Sequence, residues 1–368
     1  MTRPSNAGGT PARDGTPAPD VDVVCLGESM VTFLPTRPGR LADVPSFDRA
    51  IGGAESNVAC TLARTGHTTR WISAVGADGF GDHLLTAVAG CGVDVSHVRR
   101  DPLRPTGVYF RTAGDRAGDT HEVAYYRAGS AASAMTAADL DPAALRSGRI
   151  LHLSGITAAL SASCLGLMRE LTARRPGRPL LSFDVNYRPG LWREAAGARE
   201  LLDLARGADL VFVGDDEARD AWGLHGARAI SDALPEPALL VVKQGRRGAT
   251  VFRRTTATGE RAGAAPTTFV PSLNVDLVAA TGAGDAFAAG FLSATLRGLP
   301  DRTRIRHGHL WAAAALTHPG DLATPPGRAH ADRLADLDDA AWERLHLGPG
   351  WTEAGAGGHR ADEEVRTP

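Results

Sequence analysis

Short apolar runs alternate with stretches of helical character along most of this chain. The runs are Val21 to Leu26, Thr69 to Val75, Ile150 to Leu153, Leu180 to Val185, Leu210 to Val213 and Leu239 to Lys243. Apolar runs this short, without polar alternation, read as strands buried on both faces. Strands of that kind separated by helices predict an α/β fold, a mostly parallel sheet covered by helices. Two regions break the rhythm. Met30 to Leu34 continues extended into a Pro/Gly-rich segment that cannot form a long helix. Gly107 to Arg111 and Glu122 to Arg127 flank a Gly/Asp-rich turn and read as a hairpin. Residues of about 32–50 and 105–127 are therefore expected to form a separate small sheet.

Thr281-Gly282-Ala283-Gly284-Asp285 lies between Val275-Asp276-Leu277-Val278, which reads as a strand, and Ala286 to Leu296, which reads as a buried helix. Two glycines let the backbone turn sharply and approach a ligand without Cβ interference. The free N–H groups of a first helical turn, aided by the helix dipole, make an anion site from backbone alone. Asp285 has two readings there. It is a favourable charge at a helix start, or a carboxylate beside a phosphate cradle, placed to take a proton from an attacking hydroxyl.

Composition narrows the function classes. Net charge is −2, so no nucleic-acid or acidic-membrane surface is indicated. Lys243 is the only lysine among 40 basic residues, so arginine abundance is not itself a signal. Cys25, Cys60, Cys91 and Cys164 form no CxxC pair, which argues against structural zinc or a disulfide framework and fits a reducing cytoplasm. No apolar run reaches the ~18–20 residues of a membrane helix. Residues 1–20 lack a hydrophobic block and read as a disordered tail, residues 21–346 as the folded domain, and 347–368 as a second, flexible tail.

Several other groups fall where open α/β sheets bind ligands, past the carboxyl ends of strands. Tyr125-Tyr126-Arg127 and Asp184-Val185-Asn186-Tyr187-Arg188 each place an arginine there, able to grip a carboxylate or to serve as a surface charge. Gly52-Gly53-Ala54-Glu55-Ser56-Asn57 opens a helix, as a turn and cap or as a polyol contact through Asn57. Lys243-Gln244-Gly245-Arg246-Arg247-Gly248 suits a loop under a nucleotide, or a plain turn. His307, His309 and His318 lack metal-ligand spacing and read as surface or cap residues. There is no Gly-Lys pair and hence no P-loop.

Taken in order, Gly52 to Ala59 and Thr281 to Phe287 resemble the two signatures of the ribokinase-like (PfkB) carbohydrate kinases. Glu55-Ser56-Asn57, Tyr125-Tyr126-Arg127 and Asp184 to Pro189 look most like 2-keto-3-deoxygluconate kinases. Fructokinase-like members tend to carry Pro-Ala before the asparagine. The resemblance implies a three-layer α/β/α domain with a small β-sheet lid. It also implies transfer of the γ-phosphoryl group of ATP, with Mg²⁺, to a primary hydroxyl of a sugar acid. Fructose, 5-dehydro-2-deoxygluconate or a nucleoside are alternative acceptors, and a catalytically degenerate sugar- or nucleotide-binding protein is the alternative of another class.

The same resemblance makes Asp285 the base, with an ordinary pKa near 4 sufficient, and the amides of Gly282, Ala283 and Gly284 the anion hole. Gly53, Asn57, Tyr109, Tyr125, Arg127 and Arg188 would face the sugar acid. Asn186, Lys243, Gly245, Arg246, Arg247 and Gly248 would lie by the nucleotide, and Glu217 would organise water around the metal. Ala279 and Ala280 stand where the family usually has aspartate and threonine, so potassium activation is not expected. Gly214 replaces an asparagine. The lids of this family often pair between subunits, which implies a possible homodimer.

Overall fold

The computed structural model describes residues 19–112, 122–192, 195–254 and 266–353. In chain order the strands are β1 (Val21–Leu26), β2 (Met30–Pro35), β3 (Phe47–Gly52), β4 (Thr69–Gly76) and β5 (Val98–Asp101). There follow β6 (Val108–Arg111), β7 (Val123–Tyr126), β8 (Gly148–Ser154), β9 (Leu180–Asp184) and β10 (Leu210–Gly214). The last are β11 (Leu239–Lys243), β12 (Ala249–Arg253), β13 (Thr267–Val270), β14 (Asn274–Val275) and β15 (His346–Leu347).

Nine of these form one sheet in the order β13-β12-β11-β10-β9-β8-β1-β4-β5. From β5 to β11 every pairing is parallel, and β12 and β13 add an antiparallel edge. Both faces are covered, as continuous apolar strands require. On β1, Val23 and Cys25 point into one apolar core while Val24 and Leu26 point into the other, all fully buried. The helices Ala54–Arg64, Ala283–Leu296 and Asp301–Leu316 pack on the first face. Ala162–Thr172 and Ala195–Gly207 lie on the second. Among the described residues no helix is long and apolar enough to cross a membrane.

The smaller sheet has the order β3-β2-β6-β7 and draws on both segments that broke the alternation. The expected turn between β6 and β7 falls partly on residues 113–121, outside the described residues, as do 1–18 and 354–368 at the ends. Phe33, Phe47 and Phe110 cluster on this sheet, with Phe33 and Phe110 stacked 4.7 Å apart.

Three expectations fail locally. Val275 to Val278 is not a strand: only Asn274 and Val275 pair, with β15. Val278 and Ala279 instead donate their amides to the Leu316 carbonyl at 2.8 and 3.2 Å, closing the end of helix Asp301–Leu316. The chain also stays in the fold beyond residue 346, because Leu347 pairs with Val275 and is buried. His307 and His309 are core residues, not surface ones. His309 faces the Val270 carbonyl at 3.2 Å and Phe287 edge-on, while His307 lies 3.1 Å from Asp332.

Helix Ala283–Leu296 is held to the sheet by aromatic contacts: Phe291 stacks with Phe287 and meets Phe212 of β10 edge-to-face at 5.4 Å. Phe291 is fully buried. Phe291→Ala is expected to lower unfolding free energy by about 3–5 kcal/mol, read from the denaturant midpoint.

Candidate active site

The site lies along the carboxyl edge of the large sheet, under the small one. Its centre is the start of helix Ala283–Leu296. Gly282 precedes that helix with φ of 78°, in the left-handed region. A Cβ there would stand 2.3 Å from the Asp321 carbonyl oxygen, so only glycine fits. Among the described residues no protein group accepts from the amides of Gly282, Ala283 or Gly284. These are the orphan donors of a helix N-terminus, the physical requirement for an anion hole.

Asp285 follows in the first turn and is half-buried. Asn57, on helix Ala54–Arg64, donates to its Oδ2 at 2.9 Å, and Asn186 approaches Oδ1 at a long 3.5 Å. Asn186 itself has φ of 43°, and among the described residues it is the one non-glycine with positive φ. Both asparagines are buried, and their Oδ1 atoms have no protein partner. The Asp285 pKa is not the ordinary one. Desolvation, with the Asp184 charge, raises it to about 7 against the opposing Asn57 hydrogen bond and the Arg188 and Lys243 charges.

Lys243 ends β11 and Asp184 ends β9. The ammonium donates to both carboxylate oxygens at 3.0 Å, and it lies 3.5 Å from where a side chain on Gly284 would begin. Burial alone would lower the Lys243 pKa, but Asp184 and Glu217 together hold it raised. Glu217 accepts the Gly214 amide at 3.3 Å, and burial pushes its own pKa up. Gly245 and Gly248 both adopt positive φ in the β11–β12 turn. A Cβ at Gly248 would strike the Val270 carbonyl, so close packing on β13 already explains that glycine. Arg246 and Arg247 are exposed, and Arg247 pairs with Asp215.

On the opposite side, Gly53 packs against the backbone of Glu28 and Ser29, where a Cβ would meet the Glu28 carbonyl at 2.4 Å. Arg127 is nine-tenths buried and ion-paired to Glu28, which also accepts from Ser130 at 2.7 Å. Tyr109 is buried, with its hydroxyl donating to Asp321. Tyr125 is 52% exposed and packs on Arg127. Arg188 is exposed and donates to the neighbouring Tyr187 carbonyl at 2.9 Å.

The description of pfkB family carbohydrate kinases fits residues 20–327. The chain is 36% identical over 319 residues to the 2-dehydro-3-deoxygluconokinase of Bacillus subtilis (strain 168), covering 84% of this chain and 93% of that one. It is 32% identical over 317 residues to the probable chloroplastic fructokinase-6 of Arabidopsis thaliana, covering 83% and 79%. An uncharacterized sugar kinase from Pyrococcus horikoshii, solved in complex with ATP, matches the fold with a TM-score of 0.70 at 26% identity, over 87% of this chain and 99% of that one.

The chain belongs to the pfkB family of carbohydrate kinases.

It is therefore a phosphotransferase acting on a sugar hydroxyl. Its fold is the parallel α/β one expected from the strand and helix order, in the ribokinase-like form that the family resemblance implied. Two acidic groups of this kinase, Glu28 and Asp321, went unread in the sequence, and a third, Glu55, was read only as part of its motif. Glu28 directly follows Gly27 just past the end of β1, a position as telling as that of Asp184 at the end of β9. Glu55 is a lone charge on an otherwise buried helical face. Its Oε1 accepts from the Ser154 amide and hydroxyl and the Thr157 hydroxyl at 2.8–3.1 Å, while Oε2 has no partner. Burial, opposed by those bonds and aided by Asp285, raises it to about 7. Asp321 carries no local signal at all.

The raised pKa values of Asp285 and Glu55 have a definite sign. A carboxyl whose folded pKa exceeds its unfolded one contributes fully only below the unfolded value, and that contribution is lost as pH rises from there to about 7. Asp285→Asn should thus raise the melting temperature more at pH 8 than at pH 5. If Asp285 must be ionised to act, kcat/KM of the wild type falls as pH drops through about 7, and Asn57→Ala moves that limb to higher pH.

Proposed function

We propose that this protein is an ATP-dependent kinase that phosphorylates the terminal primary hydroxyl of 2-dehydro-3-deoxygluconate. The observation that carries the reading is Asp285, held by Asn57 beside a helix N-terminus whose first amides have no acceptor among the described residues. In this reading the acceptor hydroxyl oxygen attacks the γ-phosphorus, the bond from that phosphorus to the ADP oxygen breaks, and the proton passes to Asp285. Transfer of this kind has a loose transition state, so positioning and charge stabilisation dominate. Each well-aimed amide contributes about 3 kcal/mol there. Lys243, 3.5 Å from the start of a side chain at 284, sets an ammonium, paired with Asp184, behind the hole.

ATP as donor is supported by the ATP complex of the Pyrococcus horikoshii neighbour. Among the described residues no cluster of three or more His, Cys, Asp or Glu could cage a metal. Mg²⁺ bound with a nucleotide is held mainly by the phosphates, water and one or two carboxylates. Glu217 would order that water, and the ion would neutralise phosphate charge when bound. The sugar-acid preference is supported by the Bacillus subtilis relative and by Arg188, an exposed guanidinium close enough to Asp285 to lower its pKa. Arg127 differs from Arg188 in having its charge balanced by Glu28. The fructokinase relative supports a neutral ketose as the competing acceptor. A homodimer through the lid is supported by Val123, Tyr125 and Tyr126, exposed on the edge strand β7.

An ADP-release assay across sugar acids, ketoses and nucleosides tests the reading. 2-Dehydro-3-deoxygluconate should be the best acceptor, and Asp285→Asn should abolish its turnover. Arg188→Ala should cut kcat/KM for the acid by about 10- to 100-fold and leave neutral sugars nearly unchanged. Turnover of fructose alone would transfer the assignment to the ketose, and no turnover of any acceptor would leave a binding protein.

A further inference from the structure

The kinase site is spanned by a buried contact that its reaction chemistry does not use. Asp321 follows helix Asp301–Leu316 in a short loop and is 6% exposed. Its Oδ1 accepts from Arg111 Nη2 at 2.5 Å, and its Oδ2 accepts from the Tyr109 hydroxyl. Both donors stand on β6, the inner strand of the small sheet. Arg111 also donates to the Pro319 carbonyl at 3.2 Å, and the Arg111 and Asp321 side chains are each 4% exposed. On β3, a Cβ at Gly52 would stand 2.6 Å from Asp321 Oδ2. The main chain of the same residue faces the other way: its carbonyl oxygen fills the space beside Gly282 that a side chain would take. One residue thus grips the lid through its carboxylate and abuts the anion-hole turn through its carbonyl.

We infer that Asp321 is a positioning residue that ties the small sheet to the anion hole, so that the lid and the phosphoryl cradle settle as one unit. Packed interiors transmit displacement rather than absorb it. Gly282 has left-handed backbone and no room toward Asp321. A shift of β6 therefore reaches the amides of Ala283 and Gly284 through a single loop. The coupling makes the hole take its working geometry only when the lid is seated, which keeps the phosphoryl group from water until an acceptor is enclosed.

This inference rests on the kinase reading, and wild-type turnover is measured beside it so that the two can fail separately. Asp321→Asn by itself leaves the Arg111 charge buried and unpaired, a strong destabilisation unrelated to positioning. The informative protein is Arg111→Gln/Asp321→Asn, which has no buried charge at this point. Its thermal melt should stay close to that of the wild type, while kcat with 2-dehydro-3-deoxygluconate falls about 10-fold. KM for ATP should be unchanged, and the share of ATP lost to water should rise. A folded double variant with wild-type kcat and wild-type hydrolysis overturns the inference. A second test needs no variant. In the wild type, a non-hydrolysable ATP analogue added without sugar should slow amide hydrogen exchange in residues 108–111 as well as 283–286. Protection confined to 283–286 overturns the inference equally, even if the double variant fails to fold.

Discussion

A helix whose first amides meet no acceptor among the described residues governs this molecule. Those groups can be left free only where something else will take them, and here they open at the carboxyl edge of a parallel sheet. The geometry depends on Gly282, whose left-handed backbone turns the chain into helix Ala283–Leu296 with the Asp321 carbonyl packed against it. The apolar side of that helix, through Phe287 and Phe291, anchors it to β10. That N-terminus is therefore presented on a rigid support, the arrangement in which backbone dipoles can stabilise charge without reorganising.

Around this point the protein buries three ion pairs, Lys243 with Asp184, Arg127 with Glu28, and Arg111 with Asp321. Buried pairs of this kind contribute little to stability, since desolvation offsets most of the attraction. Their common feature is place: each joins elements that are distant in sequence at the rim of the same cleft. Lys243 and Asp184 tie β11 to β9, Arg127 and Glu28 tie the end of β7 to the end of β1, and Arg111 and Asp321 tie the lid to the helical face. The site is held together by charge where apolar packing would have filled the cleft.

The same burial alters the chemistry. Asp285 and Glu55 share one low-dielectric region, and desolvation pushes each to about 7. Nothing local to residue 285 signals more than an ordinary carboxylate, because burial in the folded chain and the Asp184 charge at the end of β9 are what raise its pKa. The Asn57 bond and the nearby cations work in the opposite direction, so the final value is a balance struck among elements far apart in the chain.

Much of the fold was legible because its physics is local. Apolar runs too short for helices and too uniform for a one-sided sheet required parallel strands covered on both faces. Two glycines before an uncharged helix required an open N-terminus, and Asp285 was found with them. Where local pattern misled, a long-range partner had decided the matter. Val278 looks like strand but serves the end of another helix, and His309 looks like a cap but packs on Phe287. Arg127 and Arg188 are equivalent in sequence, each an arginine just beyond a strand. Only the folded chain brings Glu28 to one and leaves the other exposed, because charge pairing depends on distance through space and not on separation along the backbone.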